Sequence, residues 1–140
     1  MSERIEILKS KFEKKLKRLK EKSILVNENI HSIIDDMGKD EIESRFFGKD
    51  LIKKRKKSFN KAKKKLKVAQ DHLKACLKED ESQTDIESMR DCSEKYEDFA
   101  LANLNLANFC IQQAELAAIK AFLASIQADS LIDLEESYTD

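Results

Sequence analysis

Ala100–Ala128 reads ALANLNLANFCIQQAELAAIKAFLASIQA, and its only charged residues are Glu115 and Lys120. Leu, Ile, Phe and Ala fall on every side of the helix that this stretch predicts. A helix apolar all round must be covered on most sides, by its own chain or by another. It does not read as a membrane span. Asn103, Asn105, Asn108, Gln112, Gln113, Glu115 and Lys120 interrupt it, and each is costly to bury in hydrocarbon. The pattern extends in both directions. Upstream, Glu79-Asp80-Glu81-Ser82-Gln83 is a polar connection, and Thr84-Asp85-Ile86-Glu87 matches a capping box in which hydroxyl and carboxylate satisfy free amides. Downstream it continues to about Glu135, with 136–140 expected as a frayed acidic tail or a short partner-binding peptide. A helix over 84–135 is about 75 Å long.

Two further long segments precede it. In the first, Ile5, Phe12, Leu19, Val26 and Ile33 recur every seven residues, accompanied by Leu8, Leu16, Ile30 and Met37. Spacing that alternates between three and four predicts a coiled-coil helix over 2–37, on the order of 50 Å long, ended by Gly38. The second segment, 40–78, carries Ile52, Phe59, Leu66 and Leu73 in one series and Ala62, Ala69 and Cys76 in the other. Gly48 is expected to kink or break it, with a short extra helix at 40–47 as one outcome. Phe46 and Phe47 are expected to pack across the end of a bundle. With no Pro and two Gly in 140 residues, turn chemistry is nearly absent. The expected fold is all-α: one domain, 1–140, an elongated antiparallel three-helix coiled-coil bundle. Its third helix is longer than its partners and apolar all round, so self-association as a homodimer is expected. Phe99, Leu106, Phe109, Leu116, Ile119, Phe122, Leu123 and Ile126 form the candidate core and dimer seam.

The net charge of zero hides a strong division. Residues 1–78 carry 24 Lys/Arg against 12 Asp/Glu, a net of +12, and residues 79–140 carry 3 against 15, a net of −12. Lys53, Lys54, Arg55, Lys56, Lys57, Lys61, Lys63, Lys64, Lys65 and Lys67 place ten cations in fifteen residues, with no acid between Leu51 and Gln70. They occupy every heptad direction except the core, apart from Arg55, which falls on a core position where its head can snorkel outward. Three meanings stand side by side. The lysines pair with acids of the third helix such as Asp91, Glu94, Glu97 and Asp98 and are otherwise solvated. They bind phosphate-rich lipid headgroups, at about 1 kcal/mol per cation near an anionic surface. Or they bind nucleic acid, against which stand the lack of aromatic interleaving and of any recognised motif.

Catalytic constellations are missing: there is no glycine-rich phosphate loop, no G-x-S-x-G and no triad, so no enzyme activity is expected. Glu28-Asn29-Ile30-His31 has the spacing of a di-iron helix motif, but such sites need it twice and His72 has no matching Glu. No metal or other cofactor is expected. Cys76, Cys92 and Cys110 are odd in number, lack C-x-x-C spacing and read as small buried hydrophobes. The first twenty residues mix charged with apolar groups rather than forming an apolar signal core, which predicts a cytoplasmic protein, peripheral at membranes or nuclear.

Two runs carry a family resemblance. KKRKKSFNKAKKKLKVAQDHLKACLKE, from Lys53, resembles the second helix of the BAR superfamily, and EKYEDFALANLNLANFCIQQAELAAIKAFLASIQA, from Glu94, resembles the third. The resemblance covers about residues 45–135, in helices shorter than is usual for that family. It implies a dimer of three-helix antiparallel coiled coils that binds anionic membranes. Lys53, Lys54, Lys56, Lys57, Lys61, Lys63, Lys64, Lys65 and Lys67 would then be the membrane-facing residues, and the third helix would supply the dimer seam. The alternative is a helical scaffold that binds other proteins or belongs to a larger coiled-coil complex.

Overall fold

The computed structural model describes residues 3–80 and 86–138. They form four helices and no strand: α1 Glu3–Asp36, α2 Lys39–Phe47, α3 Lys49–Asp80 and α4 Ile86–Tyr138. The expected capping box at Thr84 lies outside the described residues. The expected second helix is two, broken at Gly48 as the glycine suggested. Neither glycine adopts the left-handed conformation expected at a helix end: Gly38 has φ −73 and ψ 159, and Gly48 has φ −58 and ψ 143. Each opens the next helix instead, its carbonyl accepting from the amide of Ile42 or of Ile52 at 3.0 Å. Poor helix propensity at these two points explains the breaks without any positive φ. Asp40 and Glu41 then sit in the first turn of α2, where carboxylates favour the positive end of the helix dipole.

The helix α4 organises the rest. Both α1 and α3 pack along it, while α2 packs on α3. The first helix runs parallel to α4: Arg4 pairs with Glu94 at 3.6 Å, Lys11 with Glu97 at 2.8 Å, and Lys22 donates to the Asn108 carbonyl at 3.4 Å. The third runs antiparallel, with Cys76 meeting Cys92 at one end and Arg55 near Glu115 toward the other. Across that second end lies α2. Ile42, Ile119 and Leu123 form a buried cluster against which Ile30, Ile33, Met37, Phe46 and Phe47 pack. Phe46 and Phe47 therefore sit at the bundle end, as expected. Lys120 closes the corner, 3.3 Å from Glu43 and 4.6 Å from the centre of the Phe47 ring.

The interior is thin. Among the described residues the buried apolar ones are Ile42, Ala62, Leu73, Cys76, Cys92, Ile119 and Leu123, and α1 contributes none. Its Leu8, Phe12, Leu19, Val26, Ile30 and Ile33 are half-buried, whereas Ile5 and Leu16 of the expected seam are exposed. Resting against one helix rather than in the groove between two leaves the flanks of a helix wet. On α3, Ile52 is likewise exposed, corrected from the expected core because at that end α2, through Ile42, Phe46 and Phe47, packs on α4 in place of the first turn of α3. Cys110 corrects the reading of all three cysteines as buried, since it lies on the open side of α4.

At 53 residues, α4 outruns the 34 of α1 and 32 of α3. Every residue from Ala124 to Ser137 is exposed, an overhang of about 20 Å. By length and composition alone α4 could cross a membrane, but Glu115, one of the groups that interrupt its apolar run, lies near Lys22 of α1 and Arg55 of α3.

Ile119 is 1 % exposed and central to the end cluster. Ile119→Ala should therefore cost about 3 kcal/mol in urea or thermal unfolding. Leu131→Ala, on the overhang, should change stability by less than about 0.5 kcal/mol.

Candidate functional site: a lysine-covered helix face

The side of α3 turned to α4 is set by Phe59, Ala62, Leu66, Ala69, Leu73 and Cys76, spaced by three and four and all buried or half-buried. That spacing sends the charged residues elsewhere. Lys53, Lys54, Lys56, Lys57, Lys61, Lys63, Lys64, Lys65 and Lys67 are all exposed. Lys53, Lys57, Lys64 and Lys67, with Asn60 between them, follow one line along the outer side for about 20 Å.

Pairing of these lysines with acids of α4, one of the three readings, is not seen among the described residues. Among the described residues the salt bridges are Arg4–Glu94, Lys11–Glu97 and Lys120–Glu43, and none involves a lysine of 53–67. The acids anticipated as their partners are engaged by α1 in the case of Glu94 and Glu97, while Asp91 accepts the Cys76 thiol at 3.4 Å. Lys63 instead lies over the Phe59 ring, 4.5 Å from its centre. Like charges packed this densely repel one another, and a bound anionic surface relieves that cost.

Beside the face runs an open groove of about 570 Å³ between α3 and α4. Lys61, Lys64, Lys65 and His72 stand along it, with Val68, Ala69, Leu101 and Ala102 giving apolar surface and Asp98 and Asn105 on the α4 side. Lysine heads over apolar surface suit a ligand with an anionic head and an apolar body.

Arg55 does something the sequence did not suggest. Its guanidinium donates to the Phe46 carbonyl, closing the C-terminal end of α2, so the core position it occupies serves a helix cap. Nearby, burial pushes the Glu115 carboxyl above the usual carboxylate range, and the charges of Lys22 and Arg55 oppose that shift only in part.

Two other features escaped the sequence reading. A second basic segment, Lys9, Lys14, Lys15, Lys17, Arg18 and Lys20, lies on exposed positions of α1. The pairings of Lys11 with Glu97 and Lys22 with Asn108 put it beside the stretch of α4 that α3 lines with Lys61–His72. Only the folded topology sets the two at one level along α4. The second feature is the pair Cys76–Cys92, whose sulfurs lie 2.7 Å apart. Its signal was present: both lie in apolar helical patterns, on either side of the polar connection that the sequence places between the two helices.

The expected seam residues divide. Ile119 and Leu123 are buried, Phe99, Leu106, Phe109 and Leu116 are half-buried within the chain's own bundle, and Phe122 and Ile126 are exposed. Among the described residues, no group of three or more His, Cys, Asp and Glu is placed to hold a metal ion. No family model, curated protein or solved structure matches the chain.

Glu115 gives a test of this geometry. A carboxyl whose pKa is raised in the fold binds its proton more tightly folded than unfolded. Its contribution to stability is therefore full at acid pH and is lost as pH rises through the carboxylate range. Glu115→Gln should flatten that part of the pH–stability curve and give a small rise in Tm at neutral pH, read by circular dichroism melts at a series of pH values.

Proposed function

We propose that this chain is a non-enzymatic binding module that associates peripherally with anionic membranes through the lysine face of α3. The observation that carries the proposal is that none of the nine exposed lysines of 53–67 has an ion pair among the described residues. Exposed cations that no acid among the described residues pairs with are available to lipid phosphates, and about 1 kcal/mol each makes several together a firm attachment. The α1 cations at the same level of the bundle enlarge the basic surface. The BAR-like pattern of α3 and α4 supports the same reading, with α1, α3 and α4 as the three antiparallel helices and α2 as a corner in the first connection. A nucleic acid would be drawn to the same charge, but the face presents no aromatic ring for base stacking, Phe59 being half-buried beneath Lys63.

Co-sedimentation with phosphatidylserine-containing vesicles, against neutral vesicles, tests this. Binding should occur with the anionic vesicles alone and weaken between low and physiological salt, since screening acts over about 8–10 Å. The triple variant Lys61→Glu, Lys64→Glu, Lys65→Glu should lose roughly 100-fold in affinity or more with helix content unchanged. Absence of binding by the native chain at low salt would overturn the membrane reading. A helical scaffold function would then stand in its place.

A separate observation supports the homodimer. On α4, Asn103, Ala107, Cys110, Ala114, Ala117, Ala121, Ala124 and Ala128 alternate by four and three along the side opposite Ile119. From Cys110 onward all of them are exposed. Small side chains at a strict heptad spacing let a second helix approach closely, and neither α1 nor α3 covers them. We place the dimer seam there rather than on the larger residues, most of which the single chain already uses. Sedimentation equilibrium should give a dimer for the native chain and a folded monomer for Ala117→Arg with Ala121→Arg. A native monomer at high micromolar concentration would rule the seam out.

A further inference from the structure

We infer that Cys76 and Cys92 form a disulfide-competent pair that can lock α3 onto α4. The two sulfurs are 2.7 Å apart, against about 2.05 Å in a covalent disulfide, so the remaining gap is shorter than a bond. They come from different helices, sixteen positions apart in sequence, and both are buried, at 8 % and 7 % exposure. The Cys76 thiol also donates toward the Asp91 carboxylate at 3.4 Å, which restricts where its sulfur points.

Placement gives the pair its consequence. It lies at the end of the bundle where α3 turns back into α4, opposite the end closed by Ile42, Ile119 and Leu123. That second end has a larger apolar cluster; at the first the buried side chains are Leu73, Cys76 and Cys92, with the surface ion pair Arg4–Glu94 between α1 and α4. A covalent link here adds to that packing and fixes the register of α3 on α4.

The oxidant is a low-molecular-weight disulfide. One cysteine thiolate attacks a sulfur of that disulfide, forming a mixed disulfide and releasing one thiolate. The second cysteine thiolate then attacks the mixed disulfide, forming the Cys76–Cys92 bond and expelling the other half as a second thiolate. The two protein thiols lose two electrons and two protons; the small disulfide is reduced to two thiols. In a compartment with reduced glutathione the reaction runs backward, so the link reports the redox state around the chain.

Equilibration of the full chain in buffers of varied oxidised and reduced glutathione tests the inference. Thiols remaining after denaturation are trapped by alkylation and mapped by mass spectrometry. In oxidising buffer Cys76 and Cys92 should both escape alkylation and appear as one cross-linked peptide pair, while exposed Cys110 remains reactive or carries glutathione. The oxidised form should melt roughly 5–10 °C above the reduced form, as expected for closing a loop of about fifteen residues in a chain of this size. Cys92→Ser should abolish the cross-link and the shift together. Alkylation of both Cys76 and Cys92 after full equilibration would overturn the inference, as would cross-links formed only between chains. Because the measurement involves no vesicle, its outcome is independent of the membrane reading.

Discussion

The structure depends on the need to cover α4. Between Ala100 and Ala128 that helix carries too few charged groups to stand in water and too little polar surface to present a clean outer side. The first and third helices answer this by packing on α4 from two sides. In an arrangement where two helices share a third, each of the two has one dry flank and one wet one. This accounts for α1 having no fully buried residue despite a continuous heptad seam. It also accounts for the location of the best packing. Only where α2 folds across the end do three helices converge on Ile119 and Leu123.

Charge follows from the same arrangement. Acids on α4 could have faced either partner, and the parallel register of α1 gives Glu94 and Glu97 to Arg4 and Lys11. The third helix is held by apolar and small residues, so its lysines are left to solvent or to a ligand. Had α3 taken those carboxylates, the basic face would be a structural feature satisfied within the chain. As it stands, the fold concentrates on one helix cations that have no ion pair among the described residues, while the acids of α4 lie in the other half of the sequence's charge division.

Much of this was legible in the residues. The seven-residue series of Phe12, Leu19, Val26 and Ile33 marked α1, and Gly38 and Gly48 marked both breaks because no other residue in that region disfavours helix as strongly. The heptad positions of Phe59, Ala62, Leu66 and Leu73 fixed which side of α3 would be bare. What periodicity could not supply was the neighbour of each side. Ile5 and Ile52 continue their seven-residue series, and Leu16 its seam after one slip, yet all three are exposed. Arg55 at a core position was a visible anomaly, but its use as a cap on Phe46 depends on α2 turning back toward it, which no local signal specifies. The choice of Glu94 and Glu97 by α1 is likewise a property of register between distant segments.

The division of labour along α4 also orders the open questions of assembly. Large residues such as Leu106, Phe109 and Leu116 are the natural candidates for any interface when read from sequence, since they carry the most apolar area. In the folded chain they are partly spent on α1 and α3, and the uncovered side holds alanines and Cys110. Alanine buries little area per residue, so a seam built on it gains from close backbone approach and from length rather than from large side chains. The unusual length of α4 is consistent with that requirement. A 53-residue helix offers many heptads to a second copy while its own bundle uses only the first part of them. Under the proposed dimer, the overhang beyond Leu123 extends the surface offered to a second copy.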